Sequence, residues 1–485
     1  MCSDLLAVNP LSAVFAQTLN PAGKRDFGTI THLSEHGLAA AVAKMRAAGA
    51  NEPAIDVFAH YYAEAAAGVT GMIPESTISP LTDPPQLSDA AVDPDAARAA
   101  IARTVIIKLN GGLGTSMGLD QAKTLLPVRE GLTFLDLIVQ QIKAARAQYD
   151  APLPLLFMNS FRTRADTLAH LERYPDLAVD GLPIDFVQNA EPKITADTFE
   201  PVEWPADPTL EWCPPGHGDV YTALVGSGVL DALLAAGMKY ASISNGDNLG
   251  AAPDAELAGW FAGTGAPYAA EICPRTINDR KGGHLAVRNA DGQLILRDTA
   301  QTPPEDMHHF TDEHRHPYFH TNNLWVDLEQ LKSALQGRGA VLGLPLIYNV
   351  KSVDPADSSS PKVIQLETAM GAAIEVFPGA VPDDGVLDVV VASPRGVADW
   401  ARIAGRVAVM YAGRVIEHGS THDVLKAPRH PYTLGLMGSI PPISRKVERL
   451  TRIPGSMPRL EAIPPGCPFN PRCPRVFARC RDVRP

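Results

Sequence analysis

The chain of 485 residues contains no run of eighteen apolar residues, so no single helix is expected to span a bilayer. Its start, Met1-Cys2-Ser3-Asp4, lacks the basic region and apolar core of a secretory leader, and a cytoplasmic location is the default expectation. Six cysteines are too few to staple a chain of this length, which excludes a disulfide framework. Positive charge is also short: 42 Lys and Arg face 54 Asp and Glu, a net charge of −12. The deficit is uneven. Residues from 401 onward carry 15 Lys/Arg against 5 Asp/Glu, which leaves 27 against 49 in the first 400. So acidic a body repels phosphate backbones, and no nucleic-acid partner is expected. The Walker A pattern is missing too, so the chain is not a P-loop ATPase.

What remains is ordinary for a globular protein: 45% hydrophobic and 20% charged residues, and length for two to four domains. Residues 1–100 read as a helical segment, with Ala-rich apolar spacing over Leu38–Ala48 and Ala54–Ala67 and a helix stop at Gly49. The Pro/Asp/Ser-rich stretch Ile73–Pro94 reads as a loop or linker. From Thr104 short apolar strands alternate with helices. Thr104–Ile107, Leu155–Met158, Ile184–Val187 and Tyr240–Ser244 are strand candidates, and Thr133–Ile142 reads as a helix. The alternation argues an α/β fold, Rossmann-like, with a mostly parallel sheet covered by helices on both faces. Ligands of such sheets sit beyond the carboxyl ends of the strands.

A glycine-rich stretch falls at such an end. After Thr104–Ile107 come Lys108-Leu109-Asn110-Gly111-Gly112-Leu113-Gly114-Thr115-Ser116-Met117-Gly118. Backbone N–H groups unshielded by Cβ atoms can wrap a polyphosphate, and Lys123, nine residues past Gly114, can reach the same charge. Other polar clusters also follow strands. Gln188-Asn189 can donate and accept hydrogen bonds, as uracil recognition needs. Cys213-Pro214-Pro215-Gly216-His217-Gly218-Asp219 is a tight turn before a helix. Asn245-Gly246-Asp247-Asn248-Leu249-Gly250 offers a carboxylate for Mg²⁺, which prefers one or two carboxylates plus phosphate oxygens. Taken singly, Gln188 is equally a strand-end cap and Asp247 an ordinary turn residue.

Together these clusters resemble, in order, the motifs of eukaryotic-type UTP–glucose-1-phosphate uridylyltransferases. Leu109–Gly118 is similar to that family's L-N-G-G-L-G-T-[ST]-M-G, with Lys123 at its lysine. P-P-G-H-G-D stands whole at 214–219, and N-S-D-N-L-G stands at 245–250 with Gly246 for Ser. Glu271, Lys281-Gly282-Gly283, His320–Trp325, Asn349-Val350-Lys351 and Val363–Ala369 match further segments, so the resemblance covers about residues 25–376. It implies a GT-A-like nucleotidyltransferase domain over 101–376 with a mixed sheet, and UTP and glucose 1-phosphate as substrates. It implies that Leu109, Asn110, Gly111, Gly112 and Lys123 bind UTP and that Gln188 and Gly216 read uracil. His217, Asn245, Glu271 and Asn323 would hold the sugar phosphate, Gly246 would be a further substrate-binding residue, and Asp247 would hold UTP and Mg²⁺. Lys123 and Asp247 would be the catalytic pair. Lys351 lies upstream of the Q-L-E-T-A segment and is a candidate phosphate contact.

After Val376 the family's R-F-x-P-V-K-T-T segment and C-terminal β-helix are not present, which implies retained UTP binding with reduced turnover. Residues 377–406 resemble the end of a diacylglycerol-kinase-like protein. Residues 407–485 resemble the C-terminal part of oligopeptide/dipeptide ABC-transporter ATPases, through Val407–Glu417, Pro428–Thr433 and Pro464–Phe469. No ATPase core accompanies them, and docking on a membrane transporter through this tail is not expected. Thirteen prolines among the last hundred residues argue a loosely structured tail. Its Cys467, Cys473 and Cys480 lack a fourth cysteine for an iron–sulfur cluster and are expected as free thiols. The alternatives to a uridylyltransferase are a transporter-associated protein acting through the tail, or a fusion without function.

Overall fold

The structure, a computed structural model, describes residues 27–82, 84–85, 87, 90–113, 121–129, 131–276, 279, 282–336, 340–377, 380–383, 406–411, 414–438, 453 and 463–483. The chain divides into two compact units, residues 1–112 with 135–387 and residues 113–134 with 388–485.

The first unit is built on a ten-stranded mixed sheet. Its strands include β1 (Ile78–Pro80), β2 (Thr104–Asn110), β3 (Leu155–Asn159), β4 (Asp185–Val187), β5 (Tyr240–Asn245), β6 (Tyr268–Pro274), β7 (His284–Arg288), β8 (Leu294–Arg297) and β9 (Tyr318–Asp327). The main order is β1-β7-β9-β5-β2-β3-β4, with β6 also paired to β9 and β8 to β7. Strands β5, β2, β3 and β4 are parallel, whereas β9 runs antiparallel to β5, β6 and β7. The expectation of a mostly parallel sheet therefore holds for only this half. Connection length dictates one antiparallel pair of the other half: β7 and β8 are joined by five residues closing at Gly292 (φ 74°), too short for the crossover that parallel pairing needs. In the parallel half Val105, Ile107, Leu156, Met158, Ala241 and Ile243 are buried in one core with Val220 and Leu224 of the flanking helix Val220–Gly226. Strands apolar on both faces need cover on both.

The two N-terminal helices, α1 (Phe27–Ala47) and α2 (Glu52–Ala66), form a second core. Ala41, Met45, Phe58, Tyr61 and Tyr62 pack on Leu346, Ile364 and Leu366. These come from a small sheet of β10 (Leu346–Ser352), β11 (Lys362–Thr368) and the short strand Ile194–Thr195. Gly49 (φ 79°) ends the first helix pair element as the sequence predicts, and Asn51 caps α2 by accepting from the Ala54 N–H. Among the described residues no single helix is long and apolar enough to cross a membrane.

The stretch Ile73–Pro94 is more than a linker. It supplies edge strand β1 and the buried Glu75, whose carboxylate is held by Arg297, Arg315 and His316. Burial alone would raise the Glu75 carboxyl, but Arg315 and Arg297, helped by His316, pull it down to about 2. A depressed carboxylate stabilises the fold above its ordinary value near 4.5, and that stabilisation is lost as pH falls from there toward 2. We expect Glu75→Gln to cost roughly 3 kcal/mol at pH 7, since it takes the nearest carboxylate from the fully buried Arg297 guanidinium, and to flatten the acid limb of stability. Urea unfolding at pH 7 and pH 3 checks this: an equal loss at both pH values would contradict it.

In the second unit Lys123 opens the 3-10 turn Lys123–Leu125, flanked by the Leu113–Ala122 bridge and the strand pair Pro127–Arg129 and Leu132–Thr133. Regular structure in the described tail is confined to the hairpin Arg406–Tyr411/Arg414–Ser420, helices Thr421–Lys426 and Pro431–Gly438, and two 3-10 turns. Cys467 joins Tyr411, Ile416 and Phe469 in a small cluster against which Cys473 and Cys480 pack. All three thiols are free, and among the described residues no group of three or more His, Cys, Asp or Glu suits a metal ion. The lipid-kinase likeness at 377–406 falls largely on residues 384–405, outside the described residues.

Candidate functional site at the carboxyl ends of the parallel strands

Register brings the ends of four strands level. Asn245 lies opposite Leu109, Asn110 opposite Asn159, and Asn159 opposite Val187. The loops that leave these ends carry most of the residues singled out in the sequence. Of the glycine stretch, Lys108–Leu113 is described, while Gly114–Gly118 lies outside the described residues, as does Lys281.

Asn110 is buried, and its amide donates to Asn159 Oδ1 and Thr167 Oγ1, both at 2.8 Å. Its side chain thus fastens the strand ends, leaving the backbone beyond it to face a ligand. Thr163 Oγ1 donates to the Asn110 carbonyl at 2.7 Å, and Ser160 Oγ to that of Gly111 at 3.1 Å. With their carbonyls held this way, the loop's N–H groups are oriented rather than loose. At Gly111 a Cβ would stand 2.8 Å from Gln188 Oε1, so only glycine leaves that amide its place.

Gln188 follows β4; its N–H donates to the Asn159 carbonyl and its Nε2 to the Gly216 carbonyl, each at 2.7 Å. Gly216 has φ 79° and ψ 177°, a region essentially closed to other residues, and a Cβ there would run into the Thr368 backbone. Thr368 N in turn donates to the Pro215 carbonyl at 2.9 Å, so the Pro214–Asp219 turn lies on the end of β11. His217 Nδ1 accepts from the Met370 N–H at 2.9 Å. Burial lowers the His217 pKa against the pull of Asp298 and Glu367. The ring is therefore neutral near pH 7 with its proton on Nε2, a donor and not a base. Asp219 is buried and accepts from Asn189; burial pushes its carboxyl up to about 7.

On the other side of β2, the Gly246 N–H donates to the Leu109 carbonyl at 2.8 Å, fixing the Asn245–Gly250 loop beside the glycine loop. Asp247 is exposed on it. Lys108, the one charge in an apolar strand, is buried and donates to Ser244 Oγ and the Ala251 carbonyl, both at 2.7 Å. Burial lowers it to about 8, with Glu271 acting the other way. Glu271 on β6 accepts from Asn323 Nδ2 at 3.0 Å and Trp325 Nε1 at 2.9 Å, and Asn323 Oδ1 accepts from Asn248 at 3.0 Å. Lys351 on β10 pairs with Glu367 of β11 at 3.1 Å. Lys123 belongs to the second unit.

So Leu109–Gly112, Gln188, Gly216, Asn245, Gly246, Glu271 and Asn323 share one end of the sheet. Sequence reasoning gave no role to Lys108, Asn248 or Asp219. A lone charge inside the apolar run Val105–Leu109 was the available signal for the first.

The family model described as UTP–glucose-1-phosphate uridylyltransferase matches residues 55–384, and that of the oligopeptide/dipeptide transporter C-terminal region matches 416–480. The Solanum tuberosum UTP–glucose-1-phosphate uridylyltransferase is 39% identical over 311 residues, 64% of this chain and 61% of that protein. The Saccharomyces cerevisiae enzyme is 42% identical over 282 residues, 58% of this chain and 55% of its own length. The chain thus spans less than two thirds of these relatives. A Leishmania major UDP-glucose pyrophosphorylase variant solved with UDP-glucose aligns with a TM-score of 0.67 and 44% identity, over 72% of this chain and 75% of its own. The Trypanosoma brucei UDP-glucose phosphorylase gives 0.68 and 43% over the same shares. With more than half of its residues inside the family match and the motif loops gathered at one end of one sheet, the chain belongs to the UTP–glucose-1-phosphate uridylyltransferase family.

Proposed function

We propose that the chain transfers uridylyl from UTP to glucose 1-phosphate, forming UDP-glucose and pyrophosphate. The observation that carries this reading is the meeting of Gly111, Gln188 and Gly216, from three segments far apart in sequence, around one side-chain amide at the start of the glycine loop. A phosphate oxygen of the sugar attacks the α-phosphorus of UTP while the bond to the β-phosphate oxygen breaks. That nucleophile is already anionic, so no general base is needed, in keeping with a neutral His217 that donates. Positioning by Leu109–Gly112, Gln188, Gly216, Asn245, Gly246, Glu271 and Asn323 supplies most of the rate. Lys123 and Lys351 are the lysines assigned to phosphate charge in this reading.

Asp247 fits Mg²⁺ by donor chemistry: one exposed carboxylate on a loop tied to the glycine loop, which suits an ion that keeps its other sites for water and phosphate. Mg²⁺ held there would neutralise charge on the phosphates. In this reading residues 101–376 are the catalytic domain, 1–100 a helical preface, 377–406 a lipid-kinase-like segment and 407–485 a separate tail. Without the family's later lysine segment, turnover is expected at about 10²- to 10³-fold below intact relatives, the usual cost of a lost transition-state contact.

The test is pyrophosphate release from UTP, glucose 1-phosphate and Mg²⁺. Release that needs all three supports the reading; no UTP binding at all would overturn it. We further expect Asp247→Asn to raise the Mg²⁺ concentration giving half-maximal rate by about tenfold, as befits a lost charge-assisted contact. An unchanged Mg²⁺ dependence would remove Asp247 from the metal.

A further inference from the structure

We propose that Asp219 is a positioning residue for base selection, clasping the Gln188-Asn189 dipeptide to the turn that carries Gly216. This rests on the nucleotide-binding reading above and goes beyond it, because the Asp219 carboxylate acts through Asn189, the neighbour of Gln188, and not on a nucleotide.

The geometry is specific. Asn189 directs its backbone N–H to Asp219 Oδ2 at 2.7 Å and its side-chain Nδ2 to Oδ1 at 2.8 Å. Both carboxylate oxygens are thus occupied by two donors of one residue. Asn189 Oδ1 in turn accepts from Asn51 Nδ2 at 2.9 Å, and Asn51 caps α2. A continuous chain of hydrogen bonds therefore runs from the N-terminal helix pair, through Asn189, to the Pro214–Asp219 turn.

An aspartate just before a helix ordinarily caps it. Asp219 precedes the helix Val220–Gly226 yet makes no side-chain capping bond to it. Its carboxylate serves Asn189 instead, at a burial of 4% exposure that ordinary turn residues do not meet. The neighbouring residue shows what is being held. Gln188 gives its Nε2 to the Gly216 carbonyl, which fixes which end of the amide faces Gly111. Uracil and cytosine differ in the donor and acceptor order of one edge. An amide locked in one orientation separates them; one free to turn over reads both. The clasp holds Gln188 on one side through the adjacent residue and Gly216 on the other through Asp219's own turn. Losing it loosens both partners of the reader at once.

Direct binding of UTP and CTP to the full chain, followed by isothermal titration calorimetry with Mg²⁺ present, provides the test. We expect Asp219→Asn to weaken UTP about tenfold and to lower the UTP-over-CTP preference by a similar factor, as for a lost hydrogen bond to a charged group. The exchange variant Asp219→Asn with Asn189→Asp rebuilds a donor–carboxylate pair and should recover most of both losses. Asn189→Ala keeps the backbone bond and should lose about threefold, which serves if Asp219→Asn does not fold. Variants that bind both nucleotides as the unaltered chain does would overturn the proposal. So would equal losses for UTP and CTP with no recovery in the exchange variant, the pattern of a merely structural carboxylate. Failure of the unaltered chain to bind UTP would instead overturn the uridylyltransferase reading, before any variant is compared.

Discussion

Lys108→Met is expected to lower kcat/KM for uridylyl transfer about a hundredfold without lowering the melting temperature. The loss follows from what the ammonium holds. It donates to Ser244 and to the Ala251 carbonyl, and so ties both flanks of the Asn245–Gly250 loop to the strand that feeds the glycine loop. Charge-assisted hydrogen bonds of this kind contribute about 1.5–3 kcal/mol each, so losing both and leaving a mobile loop reaches a factor of a hundred. The stability side has the opposite sign. Burial brings the Lys108 pKa down to about 8 from 10.5. A lysine whose folded value lies below its unfolded value binds its proton less well in the folded chain. Holding the charged form inside at pH 7 therefore works against folding, and this penalty fades as pH rises from about 8 to 10.5. Removing the ammonium relieves it, while Ser244 and Ala251 each lose a donor; the two effects roughly offset. A lysine kept for stability alone would give the reverse outcome, a lower melting temperature with kcat/KM little changed. Steady-state kinetics beside thermal unfolding of the same preparations separates the two.

Gly216→Ala is expected to cut UTP affinity at least a hundredfold while the fold persists. The backbone at φ 79°, ψ 177° costs an alanine about 1–3 kcal/mol, and its Cβ would collide with the Thr368 backbone at the end of β11. Neither strand can yield cheaply, because Thr368 is itself bonded to Pro215 and paired in register with Leu346. The turn must move instead, and it takes the Gly216 carbonyl away from Gln188 Nε2. The site then loses the shape of its base cleft rather than one contact. The turn is short and leads into a helix buried on its own account at Val220, Tyr221 and Leu224, so the core is preserved. Calorimetric UTP titration with circular dichroism checks it: affinity within threefold of the unaltered chain would show that the turn tolerates a Cβ.

Much of the first unit was legible in the chain because its signals are local. Val105, Ile106 and Ile107 form an apolar run followed by glycines, and Leu38–Ala48 is Ala-rich before Gly49; both became the elements they resembled. The antiparallel half was less legible, since strands of seven to ten residues at Tyr268–Pro274 and Tyr318–Asp327 carry no sign of their pairing direction. Glu75 looked like a loop acid. Its burial depends on Arg297 and Arg315, more than two hundred residues away, and no local pattern announces such a partner. Asp219 is similar: an acidic residue in a turn reads as solvated until the packing around it is known.

By itself the sequence determined the α/β architecture, the family motifs and which loops stand at strand ends, because hydrophobic period and glycine placement act over a few residues. Only the tertiary structure decided which side chains are free for a ligand and which are consumed in holding the site. Asn110 fastens strands, His217 is kept neutral by burial and oriented by a backbone N–H, Glu271 and Asn323 brace each other, and Lys108 anchors the neighbouring loop. Each of those roles is set by burial and by a hydrogen-bond partner distant in sequence, and neither is encoded in local spacing.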